Sequence, residues 1–257
     1  MRTLPLTRLA LPLLTLASMP AGAWDLYCKF NAQREASIDT TGAERVEIIA
    51  RGGDLHVRPV QGGRLQASGK ACASREEYLA QTQVHARRQG QVVQVFVQVP
   101  EEMQGVGVFY ATIDLDVQVP GELPVDVTDT SGDTTIDRVR LARLTDSSGD
   151  IMLRDLPSDV EISDSSGDIR VENAAGRVTV TDSSGDIVVR GAREVLITSD
   201  SSGDIDIERV AENVRIENDS SGDIEIAGIG RDVAVLVDSS GDRRISQVKG
   251  AVTVPAH

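Results

Sequence analysis

Apolar and polar residues alternate in short runs that recur along the second half of the chain. In one unit Ile169 and Val171 alternate with polar residues, Ala174 marks a corner, and Val178 and Val180 form a second alternating pair. Alternation of this kind is typical of a strand with one buried face. Each unit therefore predicts two short strands that direct their apolar side chains into a common interior.

Each unit closes with a five-residue turn rich in aspartate and serine. Six turns read Asp-Ser-Ser-Gly-Asp, and the first reads Asp-Thr-Ser-Gly-Asp. Two short strands cannot bury a core alone, but copies stacked on one another can. The turn glycines follow one another at intervals of 17, 18, 18, 18, 19 and 19 residues and are Gly132, Gly149, Gly167, Gly185, Gly203, Gly222 and Gly241.

This repeat predicts an all-β fold, a single-stranded parallel β-helix or solenoid with rungs of 17–19 residues. Successive rungs would pair in parallel and in register, about 4.8 Å apart. An antiparallel meander or sandwich is disfavoured, because the turn occurs once per unit and not once per strand.

The part of the chain before the clear repeats carries a weaker form of the pattern. Ile48 precedes Gly53, and Leu55 follows it, at the offsets seen in the clear repeats. We interpret residues 24–120 as an N-terminal cap with degenerate rungs, and residues 121–257 as the seven-repeat solenoid.

A solenoid needs protection at its ends, because a bare end rung is a template for aggregation. The degenerate rungs would provide it at the N-terminal end. At the other end Arg243 stands where the usual residue is isoleucine, Arg244 adds a second charge, and Pro255 stops strand pairing. We expect these residues to blunt the last edge.

Residues 1–23 predict an export signal that is not part of the fold. Arg2 and Arg8 give a positive start, residues 9–16 form an apolar run, and a small-residue cleavage site ends at Ala23. The apolar run is too short to span a bilayer. We therefore expect a periplasmic or secreted protein that does not insert into a membrane.

The two cysteines of the chain, Cys28 and Cys72, are its only candidates for a disulfide. An even number of cysteines in an exported chain favours pairing. The bond would tie the mature N-terminus to the body of the protein.

The charge of the chain excludes some classes of partner. There are 26 basic and 40 acidic residues, a net charge of −14, and loss of Arg2 and Arg8 would make it −16. Nucleic acids and anionic membrane surfaces are bound by basic faces. The composition therefore argues against both.

The aspartates of the seven turns hold nearly all of this excess charge, because without these fourteen residues the mature charge of −16 would be −2. The turn chemistry explains part of their presence, since glycine permits the tight corner and aspartate can accept hydrogen bonds from nearby N–H groups. We take them as the candidate ligand or cation edge: Asp129, Asp133, Asp146, Asp150, Asp164, Asp168, Asp182, Asp186, Asp200, Asp204, Asp219, Asp223, Asp238 and Asp242.

Stacking would place like carboxylates about 5 Å apart in two rows, at roughly 1 kcal/mol per neighbouring pair in water. Backbone and serine donors could offset this repulsion alone, or bound cations could do so. Ca²⁺ is the candidate ion because it prefers hard oxygen ligands. The turn matches only the first half of an EF-hand loop, so weak territorial binding of cations is favoured over specific sites, and no other cofactor is indicated.

The sequence indicates no catalytic site. Carbohydrate-active β-helices need carboxylates in a cleft of fixed geometry, whereas here each turn resembles the next. The three histidines are His56, His85 and His257, without zinc-ligand spacing, and there is no Gly-x-Ser-x-Gly elbow. We therefore expect a protein that is not an enzyme.

The Ser-Gly-Asp-Ile segments followed by alternating strands resemble the bacterial DUF4097 β-strand repeat family, which also carries the label adhesin. The resemblance covers about residues 45–254 and departs at the last rung, where Arg243 follows the turn. It implies a β-helix-like fold in an exported or cell-envelope protein, and it implies no catalytic residues. The segments that carry it are Ser166–Ile169, Ser184–Ile187, Ser202–Ile205 and Ser221–Ile224.

These features together predict an exported, non-catalytic β-solenoid with a structural or surface-interaction, adhesin-like role in the bacterial cell envelope. Its partner would be a cell-envelope protein or a polysaccharide, and the sequence does not fix its oligomeric state. The alternatives are a repeat module that binds or is stabilised by Ca²⁺ and, less favoured, a carbohydrate-active β-helix enzyme.

Overall fold

A computed structural model describes residues 28–101 and 109–255, and the predicted export signal lies outside these residues. Nearly all of its regular secondary structure is strand, with one short helix. The elements are β1 (Phe30–Asp39), β2 (Arg45–Ile49), β3 (Leu55–Val60), β4 (Arg64–Ala73), α1 (Glu76–Gln81), β5 (Gln83–Gln89), β6 (Val92–Gln98), β7 (Ala111–Pro120), β8 (Val125–Thr128), β9 (Thr134–Asp137), β10 (Leu141–Thr145), β11 (Ile151–Leu156), β12 (Val160–Ser163), β13 (Ile169–Thr181), β14 (Ile187–Ser199), β15 (Ile205–Val210), β16 (Val214–Ile216), β17 (Ile224–Ile229), β18 (Val233–Val235), β19 (Arg243–Val248) and β20 (Val252–Thr253).

The repeats stack as a parallel β-solenoid with rungs of about eighteen residues, which confirms the predicted fold. Each rung has two strand segments separated by a corner, and equivalent residues pair in register. Ile169 is opposite Ile187 in the first segment, and Val178 is opposite Val195 in the second. The apolar residues of both segments face inward, so that Val171 and Val180 are fully buried in one continuous core.

The corner between the two segments of a rung holds a residue with positive φ, which the turn motif did not predict. Glycine occupies this corner in only two rungs. L-residues with side chains avoid this conformation, at about 1–2 kcal/mol each. The corner residues are Arg138, Asp155, Asn173, Gly191, Arg209, Gly228 and Gln247.

The degenerate rung around Gly53 is present and lies in register with the clear repeats. Its strands β2 and β3 pair in parallel with β8 and β9 on one side. On the other side they pair in parallel with β6 and β7, which come later in the chain. The rung formed by β2 and β3 is therefore second in the stack, although it comes first in the chain. The outermost rung is formed by the later strands β6 and β7.

Antiparallel strands cover the outermost rung. Strand β5 pairs with β6, strand β4 pairs with β7, and β1 pairs with β4. Cys28 and Cys72 form the predicted disulfide, with their Cα atoms 5.5 Å apart. The helix α1 packs beside these strands, and within the described residues no helix is long and apolar enough to cross a membrane.

Candidate functional site: two aspartate rows

The turn glycines stack so closely that no side chain fits. Gly185 has a φ of 132°, and a Cβ placed on it would overlap the carbonyl oxygen of Gly167 in the preceding rung. The N–H of Gly185 donates in turn to the carbonyl of Ser202 in the following rung, at 3.0 Å. Positive φ and close approach both require glycine here. The rungs can therefore stack at the turn without a gap.

The two aspartates of each turn lie on opposite sides of the backbone. The first follows the inward alternation of the preceding strand, so its carboxylate enters the corner of the rod. The second points outward and is exposed. The fourteen predicted residues thus form two rows, an inner row whose carboxylates are buried and an outer row whose carboxylates are exposed. The inner row is Asp129, Asp146, Asp164, Asp182, Asp200, Asp219 and Asp238.

The inner carboxylates are only partly hydrogen-bonded. Oδ1 of Asp182 accepts the N–H of Ser183 at 2.6 Å and that of Ser184 at 3.3 Å. Oδ2 of Asp182 is buried and has no hydrogen-bond partner within the described residues. The Oδ2 atoms of Asp146, Asp164, Asp200 and Asp219 share this condition. A buried ionised oxygen without a donor is costly, so these groups favour the neutral form.

Burial and neighbouring carboxylates shift the titration of this row. Burial raises the pKa of Asp146 to about 6, and the charges of Asp129 and Asp164 in the adjacent rungs act in the same direction. Burial likewise raises the pKa of Asp200 and of Asp219 to about 6, with support from the neighbouring inner carboxylates. Burial also raises the pKa values of Asp129, Asp164 and Asp182.

Each end of the inner row is closed by a residue that replaces the usual isoleucine. At the first turn the hydroxyl of Thr134 donates to Oδ2 of Asp129 at 3.1 Å. At the last turn Nε of Arg243 lies 3.3 Å from Oδ2 of Asp238, and both side chains are at most 8% exposed. The guanidinium of Arg243 therefore turns inward and pairs with a buried carboxylate, while its role in blunting the last edge stays a prediction.

The outer aspartates form a continuous hydrogen-bonded row. The N–H of Asp186 donates to Oδ1 of Asp168 at 2.9 Å, and the same bond recurs from rung to rung at 2.8–3.2 Å. The row contains two members that the repeat count missed, Asp54 and Asp114. Its nine residues are Asp114, Asp54, Asp133, Asp150, Asp168, Asp186, Asp204, Asp223 and Asp242.

The sequence contained a signal for Asp54 but not for Asp114. Asp54 follows Gly53 in the degenerate rung, as the second aspartate follows glycine in each clear turn. Asp114 lies within strand β7, with no glycine before it. Only the stacking of β7 on β3 brings Asp114 to the N–H of Asp54, at 3.2 Å.

The two serines of each turn have different roles. The second serine donates its hydroxyl to the carbonyl of the first serine in the preceding rung, as from Ser184 to Ser165 at 3.1 Å. The same bond occurs from Ser166 to Ser147. The first serine of the turn, such as Ser183, is exposed. The outer edge of the rod therefore presents a row of hydroxyl groups beside a row of carboxylates.

This geometry identifies what offsets the repulsion between stacked aspartates. Backbone N–H groups do so for the outer row, which was the first of the two predicted solutions. In the inner row the carboxylate oxygens without a hydrogen-bond partner are buried and out of contact with solvent. A proton needs no added space, whereas a cation would have to displace side chains. Across residues 28–101 and 109–255, no group of three or more His, Cys, Asp or Glu side chains is arranged to hold a metal ion.

A groove lies where the outer row meets the antiparallel strands, and its lining includes Asp54, Asp114 and His56. His56 is not simply solvated. Its Nε2 atom is 3.0 Å from Oδ2 of Asp137, and its Nδ1 atom is 3.5 Å from Oδ2 of Asp116. The imidazole therefore links the carboxylates of two neighbouring rungs.

The stacked turns and strands agree with a known family. A family model described as Toastrack DUF4097 matches residues 27–195, about two thirds of the chain. The chain belongs to this family. The Toastrack match covers the N-terminal strands and the first repeats and ends within β14, so the last three turns continue the solenoid beyond it.

Three solved structures are similar to this Toastrack chain over most of its length. A putative adhesin from Bacteroides fragilis NCTC 9343 has 14% identity and a TM-score of 0.47, and the match covers 89% of this chain and 99% of that one. A putative cell adhesion protein from Clostridium sporogenes ATCC 15579 has 10% identity and a TM-score of 0.42, with 88% and 99% covered. A putative lipid binding protein from Parabacteroides distasonis ATCC 8503 has 14% identity and a TM-score of 0.43, with 87% and 97% covered.

At these identities and TM-scores, none of the three likenesses bears on function. A search of curated proteins found no match. The functional proposal therefore depends on the residues of this chain.

Proposed function

We propose that this protein is a non-catalytic binding module that uses the outer aspartate row and the exposed serines beside it to hold an extended, repetitive partner. The observation that carries the proposal is the regularity of the outer row. Nine carboxylates occupy equivalent positions on stacked strands. With strands about 4.8 Å apart the row is about 40 Å long, which suits a polymer better than a small ligand.

The outer side chains are held in place before any partner binds. Oδ1 of Asp168 accepts the N–H of Asp186, which fixes the carboxylate and leaves Oδ2 directed away from that bond. The turn itself is fixed by the close stacking of Gly167 and Gly185. Immobilising a flexible side chain on binding costs about 0.5–1.5 kcal/mol. A preorganised row avoids most of this cost at every rung.

The chemistry of the row selects a partner rich in hydrogen-bond donors. Carboxylate oxygens only accept hydrogen bonds, and serine hydroxyls both donate and accept. A neutral polysaccharide offers hydroxyl groups at a regular repeat along an extended chain. A polyanion would be repelled by a protein with a net charge of −14. We therefore favour a neutral glycan of the bacterial cell envelope, in an exported protein with an adhesin-like role.

The absence of catalysis in this proposal is supported by the side chains of the groove beside His56. The carboxylates near His56 are engaged with that imidazole or with Arg58, which lies 3.1 Å from Asp116. The carboxylates of Asp116 and Asp137 therefore already have partners within the fold.

Co-sedimentation with insoluble cellulose and with chitin, two neutral polysaccharides, tests the proposal. The triple variant D186N/D204N/D223N removes three outer charges, while each asparagine can still accept the N–H of the next rung. We expect this variant to lose at least tenfold in affinity with its thermal stability little changed.

The matched control removes three exposed carboxylates elsewhere, in the variant E122Q/E161Q/E225Q, and should bind as the parent does. Equal losses in both triple variants would point to net charge and not to the row. Absence of binding by the parent to either polymer, with or without Ca²⁺, would reject a neutral glycan as the partner.

A further inference from the structure

The two ends of the rod are finished differently. At the N-terminal end the outermost rung is covered by the antiparallel strands β5 and β4, and β1 covers β4. At the other end the last rung consists of β19 and β20, which pair only with β17 and β18 within the described residues. The outward backbone groups of this rung therefore form an open strand edge.

Apolar side chains are uncovered at the same end. Val252 is 48% exposed, whereas Val233 and Val214, which precede it in the same stack, are each 1% exposed. Leu236 and Val254 are 40% and 42% exposed. Within the described residues, the exposed large hydrophobic side chains are confined to the last two rungs. The core of the solenoid is therefore cut open at this end.

The charge of the end permits another copy of this acidic protein to approach. Residues 230–255 contain four basic and three acidic residues, whereas the whole chain has a net charge of −14. The inner row also ends in a neutralised pair, because Arg243 contacts Asp238. Covering this end would therefore not bury an unpaired carboxylate of the inner row, and the desolvation cost of an unpaired charge would not oppose docking.

We propose that the open end docks a second copy of the same chain, end to end about a two-fold axis. An open strand edge is satisfied by another strand edge. The N-terminal end is closed by the antiparallel strands β1 and β5 and leaves no described rung of the solenoid uncovered, so we take the same end as the matching surface on the second copy, which makes the contact isologous. The rod has two sheets, one that ends in β19 and one that ends in β20. A two-fold axis that passes perpendicularly through both sheets at the end of the rod would set β19 antiparallel to its counterpart, and would do the same for β20.

Such a contact would continue the core across the junction. Ile245 follows Ile226 in the stack, and Val252 follows Val233, so both would face their counterparts in the second copy. Because β19 would run antiparallel to its counterpart, the outer aspartate row of the second copy would lie on the opposite edge of the rod. The docking surface does not depend on which partner the outer row binds.

Sedimentation velocity of the full chain across the micromolar range tests this proposal, together with small-angle X-ray scattering. We expect a reversible dimer whose maximum dimension is about twice that of the monomer while its cross-section is unchanged. A side-by-side dimer would instead thicken the cross-section, and a monomer at every concentration would overturn the proposal.

Two substitutions locate the contact. Val252→Asp and Val254→Asp each place a charge on a side chain that is almost half exposed in the monomer, so both variants should fold and should weaken dimerisation at least tenfold. Ala175→Asp adds the same charge at an exposed lateral position and should leave the dimer intact. A dimer that survives both end substitutions would also overturn the proposal, whatever the result of the glycan assay.

Discussion

The inner aspartate row predicts that the protein becomes less stable as the pH rises from 5 to 7.5. The folded-state pKa values of Asp146, Asp200 and Asp219 are raised to about 6 from an ordinary value of 3.8. A carboxyl with a raised pKa favours the folded state when it is protonated. Its stabilising contribution is therefore fully present below pH 3.8 and is lost as the pH rises through about 6.

The magnitude follows from proton linkage. At pH 5 a carboxyl with a pKa of about 6 is largely protonated in the folded chain, whereas the unfolded chain is largely ionised. Linkage then gives about 1.4 kcal/mol per residue relative to pH 7.5, or about 4 kcal/mol for the three residues. The raised pKa values of Asp129, Asp164 and Asp182 act in the same direction.

Urea unfolding at pH 5 and at pH 7.5 measures this difference, through a change of midpoint at constant slope. The double variant D200N/D219N removes two of the three titrating groups and keeps the side-chain shape. We expect it to be more stable than the parent at pH 7.5, and we expect the difference between the two pH values to fall by about 3 kcal/mol.

The control is D204N/D223N, which removes two exposed carboxylates from the same two turns and so changes the net charge equally. It should leave the pH difference almost unchanged. If the inner and outer pairs had equal effects, general charge repulsion and not burial would explain the pH dependence. A parent protein that gained stability between pH 5 and 7.5 would refute the reasoning altogether.

Three further predictions test other features of the rod. Thermal melts in millimolar Ca²⁺, Mg²⁺ and EDTA should show no large Ca²⁺-specific rise, since backbone N–H groups already hold the outer row; a rise that grows with Ca²⁺ concentration would establish a metal ladder. Gly185→Ala should lower the free energy of unfolding, measured in urea, by more than about 3 kcal/mol, because the new Cβ would overlap the backbone of Gly167. Gly191→Ala, at a corner with more space, should lower it by only about 1 kcal/mol. Arg243→Gln should lower the free energy of unfolding by about 2 kcal/mol or more, because it leaves the buried carboxylate of Asp238 without its cation, whereas Arg244→Gln at the exposed neighbouring position should change it little; equal losses would contradict the role of the buried pair.

The prediction of the fold from the sequence depended on features that are local and repeated. Alternation around Ile169 and Val178 gives two strands per unit, and one turn per unit requires parallel stacking. The offset of Leu55 from Gly53 was sufficient to identify a degenerate rung. These signals survive in the sequence because an inward apolar residue and a positive-φ glycine are both specified by residue type alone.

The order of the outermost layers was not available from the sequence. Strand β7 comes after β3 in the chain but lies outside it in the stack, because the chain returns after the antiparallel strands. That placement is what adds Asp114 to the outer row. No local pattern in β7 specifies which strand it will pair with.

The separation of the two aspartates was likewise decided by tertiary structure. The motif presents both residues of a turn as equivalent acids, but Asp182 enters the corner of the rod while Asp186 is exposed. The pairing of Arg243 with the buried carboxylate of Asp238 likewise depends on the tertiary structure, which brings the two side chains together. The repeat, its strands and its turns can be predicted from the sequence, because they depend on residue type and spacing. Which charges are buried cannot, because burial depends on the side chains and backbone that the neighbouring rungs place around each carboxylate.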